Sequence, residues 1–177
     1  LAIARAGAGV NNIPIDKYAE QGVVVFNTPG ANANAVKELV ISGLLLGSRK
    51  ITDAIDWVKT LKGKGEEVGK LVEKGKSNFG GYEIKGKTLG VIGLGAIGSL
   101  VAQTGIDLGM TVIGCDPYLT VHSALNLPNS ITVVQSESDI AKNCDIISVH
   151  VPLNAETKHK FNADFLSKCK DGVILIN

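Results

Sequence analysis

Gly93, Gly95 and Gly98 stand in a G-x-G-x-x-G spacing. The spacing alone says little in a chain with 21 glycines, but its setting says more. It directly follows the apolar run 89–92 and opens a helical pattern over 96–108. In that setting Gly93 permits a sharp turn, Gly95 leaves room for a pyrophosphate against the backbone, and Gly98 lets the helix pack closely on the strand. The first N–H groups of the helix and its partial positive charge then face the phosphates. Asp116 ends the next apolar run, 18 positions after Gly98. That is close to the ~20 expected for a carboxylate that accepts hydrogen bonds from the adenosine ribose. The other reading of Asp116 is a cap on the turn Asp116-Pro117. With all three elements in order, a dinucleotide site is expected.

Charge decides which dinucleotide. Between 88 and 141 there is no Lys or Arg, while Asp107, Asp116, Glu137 and Asp139 are acidic. A 2′-phosphate would meet Asp116 without a cation, an uncompensated contact of roughly 2–3 kcal/mol. NAD is therefore expected rather than NADP.

Other reactive side chains point elsewhere. Cys115, Cys144 and Cys169 are odd in number, far apart and without CxxC spacing, so buried reduced thiols are expected and no metal site. His150 closes an apolar strand pattern, and His122 and His159 fall near helix or loop ends, where solvated side chains are expected; none is assigned as a general base. The 18 basic and 17 acidic residues leave a net charge of +1, which gives no electrostatic case for nucleic acid. The apolar stretch 39–47 is too short to span a bilayer, which takes ~20 residues. A cytoplasmic location is expected.

These residues need elements to position them. From 88 onward, strand and helix patterns alternate: strands at 88–92, 111–115, 131–134, 145–149 and 172–176, and helices at 96–108, 121–125 and 138–142 with a helical turn at 162–167. The strands are continuous apolar runs, as parallel strands covered on both faces require. A Rossmann-type doubly wound α/β sheet is expected. Upstream, a strand at 1–4, a Gly-rich turn at 6–12, a short helix at 14–20 and a strand at 23–26 form a separate unit. A helix over 32–48 follows, with Asn32 or Asn34 as its cap. Its run 36–46 carries only Lys37 and Glu38 as charges, so it must be covered on several sides. A second helix lies at 51–61. The stretch 59–87 holds eight of the basic residues, Gly63, Gly65, Gly69, Gly75, Gly80 and Gly81 interrupt regular structure, and it reads as a solvated arm. The chain begins inside one apolar run and ends directly after another, so it is expected to be a piece of a longer protein.

Several segments together resemble one family, the D-isomer-specific 2-hydroxyacid dehydrogenases, and within it the branch that oxidises 3-phosphoglycerate. They are Arg5-Ala6-Gly7-Ala8-Gly9-Val10-Asn11-Asn12-Ile13, Val25-Phe26-Asn27-Thr28-Pro29-Gly30-Ala31-Asn32, Glu38-Leu39, the run 87–98, Gly114-Cys115-Asp116-Pro117-Tyr118, His150-Val151-Pro152-Leu153 and the run 172–177. They cover essentially the whole chain.

The resemblance implies NAD as hydride acceptor, a small 2-hydroxy acid as substrate, and a homodimer or tetramer. It implies that residues 1–28 are the tail of a flavodoxin-like substrate domain and that 29–177 are the NAD-binding domain, with 32–86 supplying a hinge helix and a dimerisation arm. It places Gly93, Gly95, Ala96, Ile97 and Gly98 at the pyrophosphate, Asp116 at the ribose, His150, Val151 and Pro152 on the adenine side, Thr157 beside the cofactor pocket and Ala8 near the nicotinamide. It places Arg5, Gly7, Gly9 and Asn32 on the substrate side, where residues 7–10 would offer a nest of N–H groups to a carboxylate. Arg5 could equally be a strand-end residue in a surface ion pair. The Asn11-Asn12 pair departs from the more usual Asp-Asn. The family's catalytic Arg, Glu and His fall beyond Asn177, so no catalytic residue is assigned here. The other readings are a dehydrogenase of glycerate, lactate, formate or a related acid, and a non-catalytic NAD-binding module that responds to NAD by binding a partner.

Overall fold

The computed structural model describes all 177 residues, the side chain of His122 excepted; the expected solvation of that histidine lies outside the described residues. Two parallel sheets form. β1 (Ala2–Arg5) pairs with β2 (Val24–Asn27), joined through the short helix α1 (Ile15–Glu20). The second sheet holds β3 (Thr88–Ile92), β4 (Thr111–Cys115), β5 (Thr132–Val134), β6 (Ile146–Val149) and β7 (Ile174–Ile176), in the order β5-β4-β3-β6-β7. All its pairings are parallel. The order reverses between β3 and β6, which is the doubly wound pattern with its switch point at those two strands.

Helices cover both faces. Between the two sheets run α2 (Ala33–Ser48) and α3 (Ile51–Lys59), and α4 (Val68–Gly75) follows. The larger sheet is then wound with α5 (Ala96–Asp107), α6 (Val121–Leu125), α7 (Glu137–Asn143) and α8 (Ala163–Leu166). α2 and α5 pack together on one face, and α7 with α8 on the other. Alternation along β3 divides the core accordingly. Leu89 and Val91 join Val40, Leu44, Val101 and Ala102, whereas Ile92 joins Ile140, Cys144 and Ile147. Each Leu, Val or Ile among them contributes about 1.5–3 kcal/mol by leaving water. Gly90 sits where a Cβ would lie 2.5 Å from Ile140 and 2.8 Å from Cys144, which lets α7 approach the sheet closely.

Three local expectations are corrected. Asn32 occupies the N-cap position of α2 but its side chain makes no cap hydrogen bond, and Asn34 donates instead to Glu38 Oε1 at 2.8 Å, one turn along the helix. The stretch 59–87 is not merely a solvated arm: it contains α4 and two short 3-10 turns, and Trp57 of α3 stacks on Phe79 at 5.1 Å. Gly75 there is a packing glycine, since a Cβ would collide with the Trp57 ring. Cys115 and Cys144 are buried, but Cys169 is only half-buried. The apolar helix α2 buries Ala33, Val40, Leu44 and Ser48 and leaves Leu39, Leu45 and Leu46 exposed.

Candidate functional site

The C-terminal ends of β3 and β6 meet at the switch point. The His150 N–H donates to the Ile92 carbonyl at 2.7 Å, and the Gly93 N–H donates to the Cys115 carbonyl at 2.9 Å. Gly93 adopts φ +90°, and a Cβ there would lie 2.7 Å from the His150 carbonyl oxygen. Only glycine satisfies both the dihedral and the space. Gly95 precedes α5 at its N-cap, and a Cβ on it would point into open space. Gly98 lies one turn in, where a Cβ would collide with the Gly93 carbonyl oxygen. The three glycines thus differ in geometry: Gly93 makes the turn, Gly95 borders open space and Gly98 packs the helix closely. Ala96 and Ile97 form the first turn of α5, whose leading N–H groups have no partner inside the helix. No acidic residue occupies that turn.

Two cavities flank this crossing. One, of about 310 Å³, is walled by Gly93, Gly95, Asp116, Tyr118 and the segment after β6. The other, of about 720 Å³, is an apolar groove between Ala8, Ile97 and the exposed side of α2. His150, Val151 and Pro152 line both, so they form the ridge between them. A dinucleotide laid across the ridge would have its pyrophosphate at Gly95–Ile97 and one nucleoside in each cavity. The open space at Gly95 and the unpartnered helix start fit that group.

Asp116 does two jobs. Its Oδ2 accepts from the Leu94 N–H at 2.9 Å and its Oδ1 from the Tyr118 N–H at 2.9 Å. It therefore ties the glycine turn to the β4 end, as the turn-cap reading anticipated. Each oxygen retains a further lone pair for a ribose hydroxyl. His150 is half-buried, and Ser148 Oγ lies 2.8 Å from its Nε2. Burial lowers its pKa below the ordinary 6.5, so the imidazole is neutral at pH 7 and suits packing beside a ligand. Thr157 lines the smaller cavity, but its hydroxyl is committed to the Pro152 carbonyl at 2.5 Å and receives the Asn154 N–H at 2.9 Å. It shapes the loop after β6. His159 is exposed, at φ +60°.

On the substrate side, the Arg5 guanidinium lies over the glycine turn, 3.5–4.0 Å from where Cβ atoms on Gly7 and Gly9 would be. Among the described residues Arg5 forms no ion pair. The Gly7 N–H is already donated to Thr28 Oγ1 at 2.7 Å and the Arg5 carbonyl at 3.0 Å. A nest over residues 7–10 would have to draw on Ala8, Gly9 and Val10. Asn32 is exposed at the start of α2 with its side chain uncommitted to a cap.

Sequence reasoning missed six residues of the smaller cavity: Pro117, Tyr118, Glu137, Asn154, Glu156 and Lys160. The Tyr118 hydroxyl donates to Glu156 Oε2 at 2.7 Å, and Lys160 pairs with Glu137 at 2.6 Å. The absence of Lys and Arg over 88–141 holds, yet Lys160 brings a cation to this wall from beyond that window. Strand order was the available signal. In a doubly wound sheet the segments after β4, β5 and β6 end on one side of it, so Glu137 and the 150–160 loop fall beside Asp116. Among the described residues, no cluster of three or more His, Cys, Asp or Glu could hold a metal. Among the described residues, no helix is long and apolar enough to cross a membrane.

Comparison with known proteins agrees with this geometry. Residues 41–177 match the family model described as D-isomer specific 2-hydroxyacid dehydrogenase, NAD binding domain. A hydroxypyruvate reductase from Thermotoga maritima is 41% identical over 175 residues, 99% of this chain and 52% of that protein. A D-3-phosphoglycerate dehydrogenase from Methanocaldococcus jannaschii is 34% identical over 99% of this chain and 31% of its own length. A D-lactate dehydrogenase from Aquifex aeolicus, solved with NAD and lactic acid, superposes with a TM-score of 0.77 at 30% identity, over 99% of this chain and 49% of that one. The chain thus spans about half the length, or less, of the proteins it matches. Glycine turn, strand-end carboxylate, strand order and family match converge, and the chain belongs to the D-isomer-specific 2-hydroxyacid dehydrogenases, through their NAD-binding domain.

Proposed function

We propose that this chain supplies the NAD-binding part, and a slice of the substrate domain, of a dehydrogenase that oxidises 3-phosphoglycerate to 3-phosphohydroxypyruvate in serine biosynthesis. The observation that carries the NAD-binding part of the reading is the ridge His150–Val151–Pro152 with a cavity on each side. NAD, when bound, accepts a hydride from the carbon bearing the substrate hydroxyl. Gly95, Ala96 and Ile97 hold the pyrophosphate, Asp116 the ribose, and the ridge separates adenosine from the reacting end. Ala8 and Ile97 wall the apolar groove, which keeps water from that end. Arg5, unpaired and lying over the turn 7–9, supplies positive charge for a phosphate or carboxylate. The protein is read as cytoplasmic and as a homodimer or tetramer, with helix α2 and the arm 51–86 supplying the contact. Residues 1–28 are read as the tail of the substrate domain, in keeping with their separate two-stranded sheet.

A second reading is favoured by the 41% identity to a hydroxypyruvate reductase: the same cleft working on glycerate and hydroxypyruvate. NADH formation by the full-length protein across a panel of D-2-hydroxy acids separates the two. Turnover of 3-phosphoglycerate well above that of D-glycerate and D-lactate supports the first reading. Fast turnover of D-glycerate with none of 3-phosphoglycerate replaces it with the second. NAD binding without turnover of any acid points to a binding module.

A further inference from the structure

The smaller cavity carries an ion pair that the cofactor reading does not use. Glu137 opens α7, and Lys160 lies in the loop between β6 and α8. Their side chains meet at 2.6 Å and are 22% and 36% exposed. Both line the cavity that Asp116 lines, and so does Glu156. The wall therefore bears three carboxylates and one ammonium, and the ammonium is held by one of the carboxylates.

We propose that the Glu137–Lys160 pair is a determinant of cofactor choice: Glu137 withholds Lys160 from a 2′-phosphate, so that the cavity accepts NAD and rejects NADP. The inference rests on reading this cavity as the adenosine end of the site. Asp116 alone would repel a 2′-phosphate, but a free lysine on the same wall would offset that repulsion, because opposite charges a few ångströms apart attract strongly when partly desolvated. Pairing cancels the offset. Cys115, which sits behind the wall, reports the same arrangement: its thiol pKa is raised first by burial and then by Glu137, while Lys160 pulls it the other way. The two charges thus act on the point where β4 hands over to Asp116.

The pair can be opened from either side. Glu137→Gln keeps a hydrogen-bond acceptor for Lys160 but removes the charge that neutralises it. Lys160→Gln leaves Glu137 unpaired and the wall more acidic. The dissociation constants of NAD and NADP are measured by calorimetry on the full-length protein and its two variants. The ratio of NADP to NAD dissociation constants is expected to fall about tenfold in Glu137→Gln and to rise by a similar factor in Lys160→Gln. The opposite movements keep the test informative if one variant fails to fold. A ratio that stays within twofold of wild type in a folded variant, or that moves in the same direction in both, overturns the inference while leaving NAD binding standing. A wild type that binds neither cofactor overturns the cofactor reading and this inference with it.

Discussion

Replacing Asp116 with alanine removes two things at once, and the structure separates them. In the protein without cofactor, the carboxylate accepts the Leu94 and Tyr118 N–H groups, each at 2.9 Å. Hydrogen bonds to a charged group are worth about 1.5–3 kcal/mol each when buried. Asp116 is half-buried, so water replaces part of the loss, and about 1.5–3 kcal/mol in total is expected. That shift appears in the midpoint of denaturant unfolding measured without cofactor. With NAD present a further loss adds to it, because the ribose hydroxyls lose their acceptor. A similar 1.5–3 kcal/mol there weakens the NAD dissociation constant by about 10–100-fold. NADP loses a repulsive neighbour as well, so the gap between the two cofactors narrows. Asp116→Asn, with one acceptor oxygen and no charge, falls between wild type and alanine in both readouts. Calorimetric titration of each cofactor into folded full-length variants provides the assay. An alanine variant that unfolds at the wild-type midpoint and binds NAD within twofold of wild type refutes both roles.

Three further outcomes follow from the same structure. Gly98→Ala forces a Cβ into the Gly93 carbonyl, a rigid backbone atom; a loss of about 1–3 kcal/mol in stability and of measurable NAD binding is expected from calorimetry and unfolding. Asp145 accepts the Thr88 N–H at 2.8 Å and pairs with Lys170 at 2.9 Å, and its pKa is lowered from 3.8, first by that backbone donor and then by Lys170. Its lowered pKa makes the carboxylate stabilising at pH values above 3.8, an effect lost as pH falls through the folded-state value; the midpoint difference between wild type and Asp145→Asn should therefore be full at pH 7 and vanish in strong acid. Burial raises all three thiols, Cys144 to about 12, but Cys115 and Cys144 are also closed off from solvent, so a brief alkylation of the native protein read by mass spectrometry should label half-buried Cys169 first.

The sequence was most informative where one residue type had one physical job. The runs around Val91, Val112 and Ile147 could be only strands buried on both faces, and Gly93, Gly95 and Gly98 could share one turn in few other ways. It was least informative where several glycines and lysines lay close together. Between 59 and 87 the glycines suggested broken structure, yet Gly75 is there to admit the Trp57 ring, and a glycine that packs looks the same in sequence as one that bends. Asn32 looked like a cap by type and position, but its side chain oxygen makes no such bond, and Asn34 reaches along the helix to Glu38. The cavity wall was half legible. Asp116, His150, Val151 and Pro152 fall at strand ends and could be placed, whereas Glu137 and Lys160 are far apart in sequence and are joined only by the order of the strands.

The central claim is that a dinucleotide lies across the His150–Pro152 ridge with its pyrophosphate at the start of α5. Amide hydrogen exchange of the full-length protein with and without NAD measures this directly, since bound cofactor slows exchange where it covers or orders the backbone. Slowed exchange is expected at 93–99, at 116–118 and at 150–157, and none around Tyr82 and Lys170 at the opposite end of the sheet. Saturating NAD with no change at 93–99, or protection confined to the segments around Tyr82, Lys87 and Lys170, would contradict it.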